Sequence, residues 1–240
     1  MSMGVHKRNV RAGLALVAAF VASCSSVYGE IVLTAPEKDA MVVLIPDVQK
    51  RVMSLPSMDE RRRLLDEDID YLTCTLGIRT DLDLRAKSEK ADMTESPLGP
   101  GVTFVQHPSQ AYHLIFTDQG KKTMARNFRI FCDRKNYPIY FHCIGGADRT
   151  GTLAYVLNGV LGVARHDLET DWESTFYSRP PSTPISWFRE EAFNDGFSKY
   201  GREGDSWSRR IEFYLLDCGI TEKEIAEFRS IMLEKELGTR

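Results

Sequence analysis

The feature that most constrains this chain is Ile139-Tyr140-Phe141-His142, a continuous apolar and aromatic run. It leads without a linker into Cys143-Ile144-Gly145-Gly146-Ala147-Asp148-Arg149-Thr150-Gly151, and then into a helical pattern through Leu153, Tyr155, Val156 and Leu157 that Gly162 stops. The run reads as a strand of the kind buried on both faces in the middle of a sheet. A strand, a tight loop and a helix N-terminus in succession form an anion site, because backbone N–H groups converge there and the helix dipole favours negative charge. Ile144, Gly145, Gly146, Ala147, Asp148 and Arg149 would line a bound phosphate. The two glycines let the backbone take positive φ and approach closely, and the planar fork of Arg149 can hold two oxygens at once. Cys143 stands at the mouth, where these dipoles and Arg149 favour the thiolate. A thiolate there can attack phosphorus and form a phosphocysteine.

The surrounding pattern predicts an α/β fold: a central sheet flanked by helices, with a helical C-terminal half. Leu82 and Leu84 alternate with Asp81 and Asp83 before Arg85, a short strand entered through a turn at Gly77. Gly101–Gln106 is a second strand. Residues Lys121–Asp133 carry Met124, Phe128, Ile130 and Phe131 at near-helical spacing, and Asn136-Tyr137-Pro138 ends that helix. Further helices are expected at His166–Tyr177, Ser186–Tyr200 and Ser206–Asp217, and the last begins at Thr221, whose spacing to Glu224 makes a capping box. No repeat or low-complexity linker divides the chain, so residues 65–240 read as one catalytic domain after an extension at 24–64.

The segment HCIGGADRTG, with five residues between Cys143 and Arg149 and Thr150 following, resembles the signature loop of the cysteine-dependent protein tyrosine phosphatase superfamily. Leu76-Gly77-Ile78-Arg79-Thr80 and Asp83-Leu84-Arg85 resemble the "LGI(R/K)T…DLR" element of its bacterial tyrosine and dual-specificity branch. The resemblance implies a phosphatase-type sheet and hydrolysis of phosphomonoesters, phosphotyrosine foremost, with no cofactor and no metal. Its partners would be phosphorylated proteins or small phosphomonoesters. Thr150 would hydrogen-bond the sulfur as it leaves, and His142 would orient the loop. Arg85 would tie its strand to neighbouring loops.

Two departures from the family pattern stand out. No "NFRDLGG"-like hairpin precedes Asp66. The usual acid, an Asp on a loop about thirty residues before the cysteine, has no counterpart, since positions 109–113 read Ser-Gln-Ala-Tyr-His. The leaving oxygen still needs a proton. Asp148 is one candidate, because the loop resembles the myotubularin-like "GxDRT" arrangement in which the Asp beside the Arg serves. Asp118, 25 residues before Cys143, is the other.

At the N-terminus Lys7, Arg8 and Arg11 precede an apolar run from Ala12 to Ala22, with no acidic residue before Glu30, which is the layout of an export signal over residues 1–23. The run is too short for a membrane-spanning helix. Val21-Ala22-Ser23-Cys24 resembles a lipobox, so Cys24 would carry lipid and anchor an exported, cell-envelope protein to a membrane; ordinary cleavage nearby, for example after Gly29, would instead give a secreted protein. Removing residues 1–23 takes the formal charge from −3 to −6. That balance argues against nucleic acid as a partner. Cys74, Cys132, Cys143 and Cys218 show no zinc spacing; Cys74 or Cys132 could pair with Cys143 under oxidation. Ala147 stands where phosphoinositide-directed relatives usually carry Lys, which weakens a lipid substrate; an inositol polyphosphate or phosphoinositide phosphatase is the alternative reading, since related exported phosphatases use this fold on phytate, and a non-catalytic phosphate-binding module is a further one.

Overall fold

The computed structural model describes residues 66–89, 93–144, 146, 148–174 and 193–233. The export signal, Cys24, the extension to residue 64 and residues 186–192 of the helix expected at Ser186–Tyr200 lie outside the described residues. Three short strands form a parallel sheet in the order β2-β1-β3, with β1 at Thr80–Asp83, β2 at Thr103–Gln106 and β3 at Ile139–His142. Thr80 pairs with both Thr103 and Ile139, and Asp83 with both Gln106 and His142. The fold is therefore α/β, and most of its ordered elements are helices.

The middle strand is β1, and among the described residues β3 pairs only with β1. The aromatic run of β3 led to the expectation of a central strand, and its side chains explain the difference. Ile139 and Phe141 enter the core, whereas Tyr140 and His142 stack on each other on the opposite face, 5.0 Å apart. Such alternation usually marks a strand with one face in water, but in β1 all four residues are buried.

After a first helix α1 at Asp66–Asp70, continued as a turn of π-helix to Thr75, the chain enters β1 through Gly77 at φ +65°. Helix α2 spans Asp118–Ile130, beginning three residues before the expected start. Thr117 caps it by accepting from the Gly120 N–H at 3.0 Å, and Gly120 lies so close to the Leu114 carbonyl that a Cβ there would sit 2.0 Å from that oxygen. Helix α3 at Arg149–Val160 follows the signature loop and ends where Gly162 takes φ +98°. Then come α4 at Arg165–Ser174, α5 at Asn194–Ser198, α6 at Trp207–Asp217 and α7 at Glu222–Met232. The capping box of Thr221 and Glu224 is formed.

A large apolar core joins one face of the sheet to α2, α3, α6 and α7 through Leu82, Phe128, Phe141, Leu157, Tyr214 and Phe228, among others. A smaller cluster of Leu72, Ile78, Leu98 and Val102, with Tyr140 against it, covers the other face. The C-terminal ends of all three strands thus open toward one edge. Crevices at that edge are where parallel sheets bind ligands.

Candidate active site

Each strand end feeds one part of the site. Beyond β3, Cys143 is buried, at 7% exposure, and Ile144 is exposed at the rim. Gly146 takes φ +72°, the left-handed turn that glycine allows without steric cost; Gly145 and Ala147 lie outside the described residues. Arg149 is the first residue of α3, in whose opening turn backbone N–H groups lack helical partners. Its charge and the Cys143 sulfur interact across the loop.

Beyond β1, the single helical turn Lys87–Glu89 delivers Glu89 to Arg149. Nη1 donates to Glu89 Oε2 at 2.5 Å and Nη2 to Oε1 at 3.0 Å, a bidentate pair. Hydrogen bonding from Arg149, more than any other cause, holds the Glu89 carboxyl below the usual range. Burial works against the charge on Arg149, yet the Glu89 carboxylate outweighs it and raises the guanidinium further. The pair uses the end of the fork, and the Nε edge is not part of it. Glu89 thereby fixes the plane of the Arg149 guanidinium. Nothing local in the sequence marks Glu89, which meets Arg149 across 60 positions of chain.

Beyond β2, the chain runs to Tyr112, whose phenol donates to Asp148 Oδ1. Asp148 sits at the N-cap of α3 but makes no side-chain cap bond. Asp118 is exposed in the first turn of α2, where its neighbouring charge is Lys121, itself paired with Asp217 of α6 at 2.6 Å. Of the two acids weighed from the sequence, Asp148 is in the loop and Asp118 belongs to another cluster. Thr150 is buried and its Oγ1 has no hydrogen-bond partner among the described residues. The bond to sulfur expected of Thr150 is therefore not formed in this state.

Beneath the loop lies a layer of buried charge. His142 Nε2 shares a hydrogen bond with Asp81 Oδ1 at 3.0 Å, and Nδ1 lies 3.3 Å from the Cys143 carbonyl. Ser96 Oγ donates to the other oxygen of Asp81 at 2.7 Å. Arg85 holds Asp83 through Nε at 2.9 Å and Nη2 at 2.8 Å. Burial opposes charge on His142, and Asp81 outweighs it, so the imidazole is held above its ordinary value. Burial likewise opposes the Asp83 carboxylate, and Arg85 outweighs it and keeps it below the usual range. Arg85 thus ties to its own strand, with its carbonyl reached by Gln106 Nε2 at 3.4 Å.

A model of the tyrosine phosphatase family matches residues 58–197, more than half of the chain. The chain belongs to the tyrosine phosphatase family. A search of curated proteins gives no match. The phosphatase places its signature cysteine and arginine on the strand–loop–helix junction where its sequence put them, and helices α6 and α7, beyond the matched residues, share the same core. Its other described thiols are differently placed: burial pushes Cys132 and Cys218 up to about 12, and Cys74 is exposed. Among the described residues no group of three or more His, Cys, Asp or Glu is arranged to hold a metal ion.

Proposed function

We propose that this phosphatase hydrolyses phosphomonoesters, phosphotyrosine foremost, through a phosphocysteine on Cys143. The observation that carries this reading is the pairing of a buried Cys143 at the end of β3 with Arg149 at the start of α3, the arginine held in plane by Glu89. The Cys143 thiolate attacks phosphorus in line, the P–O bond to the leaving group breaks, and Asp148 gives that oxygen a proton. Water then attacks the same phosphorus, Asp148 takes its proton, and the S–P bond breaks to release phosphate and the thiolate. Arg149 and the loop amides balance the charge of the equatorial oxygens, so the reaction calls for no metal. The Thr150 hydroxyl, which has no partner among the described residues, supports the departing sulfur.

Loss of turnover of an aryl phosphate in Cys143→Ser is the expected outcome, and unchanged turnover would overturn the mechanism. A panel of phosphotyrosyl peptide, phosphoseryl peptide, phosphoinositide and phytate on the same protein is expected to rank the phosphotyrosyl peptide first. For localisation, the charged start, the apolar run and Val21-Ala22-Ser23-Cys24 support export and lipid attachment at Cys24. Incorporation of labelled palmitate that disappears in Cys24→Ser tests this.

A further inference from the structure

The family's loop acid is missing upstream, and the residue 31 positions before Cys143 is instead Tyr112. We propose that Tyr112 is a positioning residue for Asp148, turning its carboxylate from helix capping toward the leaving-group oxygen. The proposal rests on the reading of Asp148 as the proton donor.

An aspartate at an N-cap ordinarily accepts a hydrogen bond from the N–H two or three residues on. Asp148 occupies that position in α3 with helical backbone angles and no side-chain cap bond, and its Oδ1 accepts from the Tyr112 phenol. With Oδ1 fixed, the direction of the second oxygen is fixed as well.

Tyr112 reaches this place at a conformational cost. Its φ is +57°, and no other described residue except glycine has a positive φ. A residue with a Cβ stays in that region only where its surroundings hold it, and such positions cluster at functional sites. Here the holding contacts come from α3 and from Phe193. The Tyr112 N–H donates to Thr152 Oγ1 at 3.1 Å, and the ring packs against Phe193 with centroids 6.3 Å apart. Backbone and side chain of Tyr112 therefore grip the first turn of α3 at two points, Thr152 and Asp148. A phenol that only filled space would need neither the strained backbone nor the anchor on Thr152.

The experiment compares Tyr112→Phe, Asp148→Asn and the double variant in the full chain, using aryl phosphates of graded leaving-group basicity and one alkyl phosphate. Positioned proton donation matters most for the poorest leaving groups, where its loss costs on the order of a hundredfold or more. Tyr112→Phe is expected to lose about tenfold in kcat on the alkyl phosphate, with little change on the most acidic phenol and KM within about twofold. The double variant should be no slower than Asp148→Asn, because one residue acts through the other. Thr152→Val, which frees the backbone anchor and keeps the phenol, should give the same leaving-group signature at smaller amplitude. Equal loss on every substrate, or losses that multiply in the double variant, would overturn the proposal. If Asp148→Asn itself leaves the leaving-group dependence unchanged, the acid assignment fails first, and that result is read independently of Tyr112.

Discussion

On one face of the sheet Leu82, Ile139 and Phe141 meet Phe128 and Phe131 in a core with no charged side chain at its centre. On the other, Asp81 and Asp83 are as fully buried as Leu82, and Arg85, Ser96 and His142 satisfy them. The aspartates exclude water as completely as Leu82, yet the two faces tolerate change differently. An apolar face loses stability in proportion to the atoms removed and the cavity left. A face of paired charges fails at the first missing partner, because a buried ion without its counter-ion costs more than the pair contributed. The charged face is also the one beneath the signature loop, with His142 leading directly into Cys143, so its rigidity is spent where the chemistry needs fixed geometry.

Five substitutions separate the faces. Arg85→Met strands the Asp83 carboxylate and is expected to cost about 3–5 kcal/mol in chemical denaturation. Replacing Asp83 by Leu in the same chain should recover a large part of that loss, and no recovery would show that the backbone bonds of the pair matter more than its charge. Leu82→Ala on the apolar face should cost about 3 kcal/mol, with little change in turnover per folded molecule.

Asp81→Asn should cost about 2 kcal/mol near pH 6, since a hydrogen bond to a charged group is lost. His142 is held above the ordinary histidine value of about 6.5, so the folded chain keeps a proton that the unfolded chain releases. That contribution is complete below about pH 6.5 and fades as pH rises through the folded value. The gap between wild type and Asp81→Asn should therefore narrow as pH rises above about 6.5 in thermal melts. A gap that is constant with pH would mean that His142 is neutral and that Asp81 serves only as an acceptor. The smallest effect is expected for Ile139→Val, about 1 kcal/mol, with no pH dependence.

Much of this layout was legible in the chain. The strand at 139–142, the helix that follows the signature loop and the capping box at Thr221 follow from local rules, since an apolar run, a glycine stop and a Ser/Thr-to-Glu spacing act within a few residues of one another. The start of α2 was displaced because Thr117, a cap whose partner is Gly120, outcompetes the first apolar residue as the boundary. Alternation in Thr80–Asp83 marked a strand but could not say what covers its aspartates, although two Asp residues in one short strand are unusual enough to signal buried partners. Glu89 and Tyr112 were not visible as site residues, because each reaches the loop from a different strand end, 60 and 36 positions away in sequence.

The sequence by itself determined the signature junction: a strand, a loop of small residues, Cys143 and Arg149 at fixed spacing, and a helix that follows them. These depend on neighbouring residues and on backbone rules, so they survive without knowledge of the rest. Only the tertiary structure decided which strand is central, which side chain reaches Asp148, what holds Arg149 in plane and what balances the buried charge beneath Cys143. Those outcomes depend on groups brought together across the sheet, where desolvation makes each partner's presence decisive and where sequence distance carries no information.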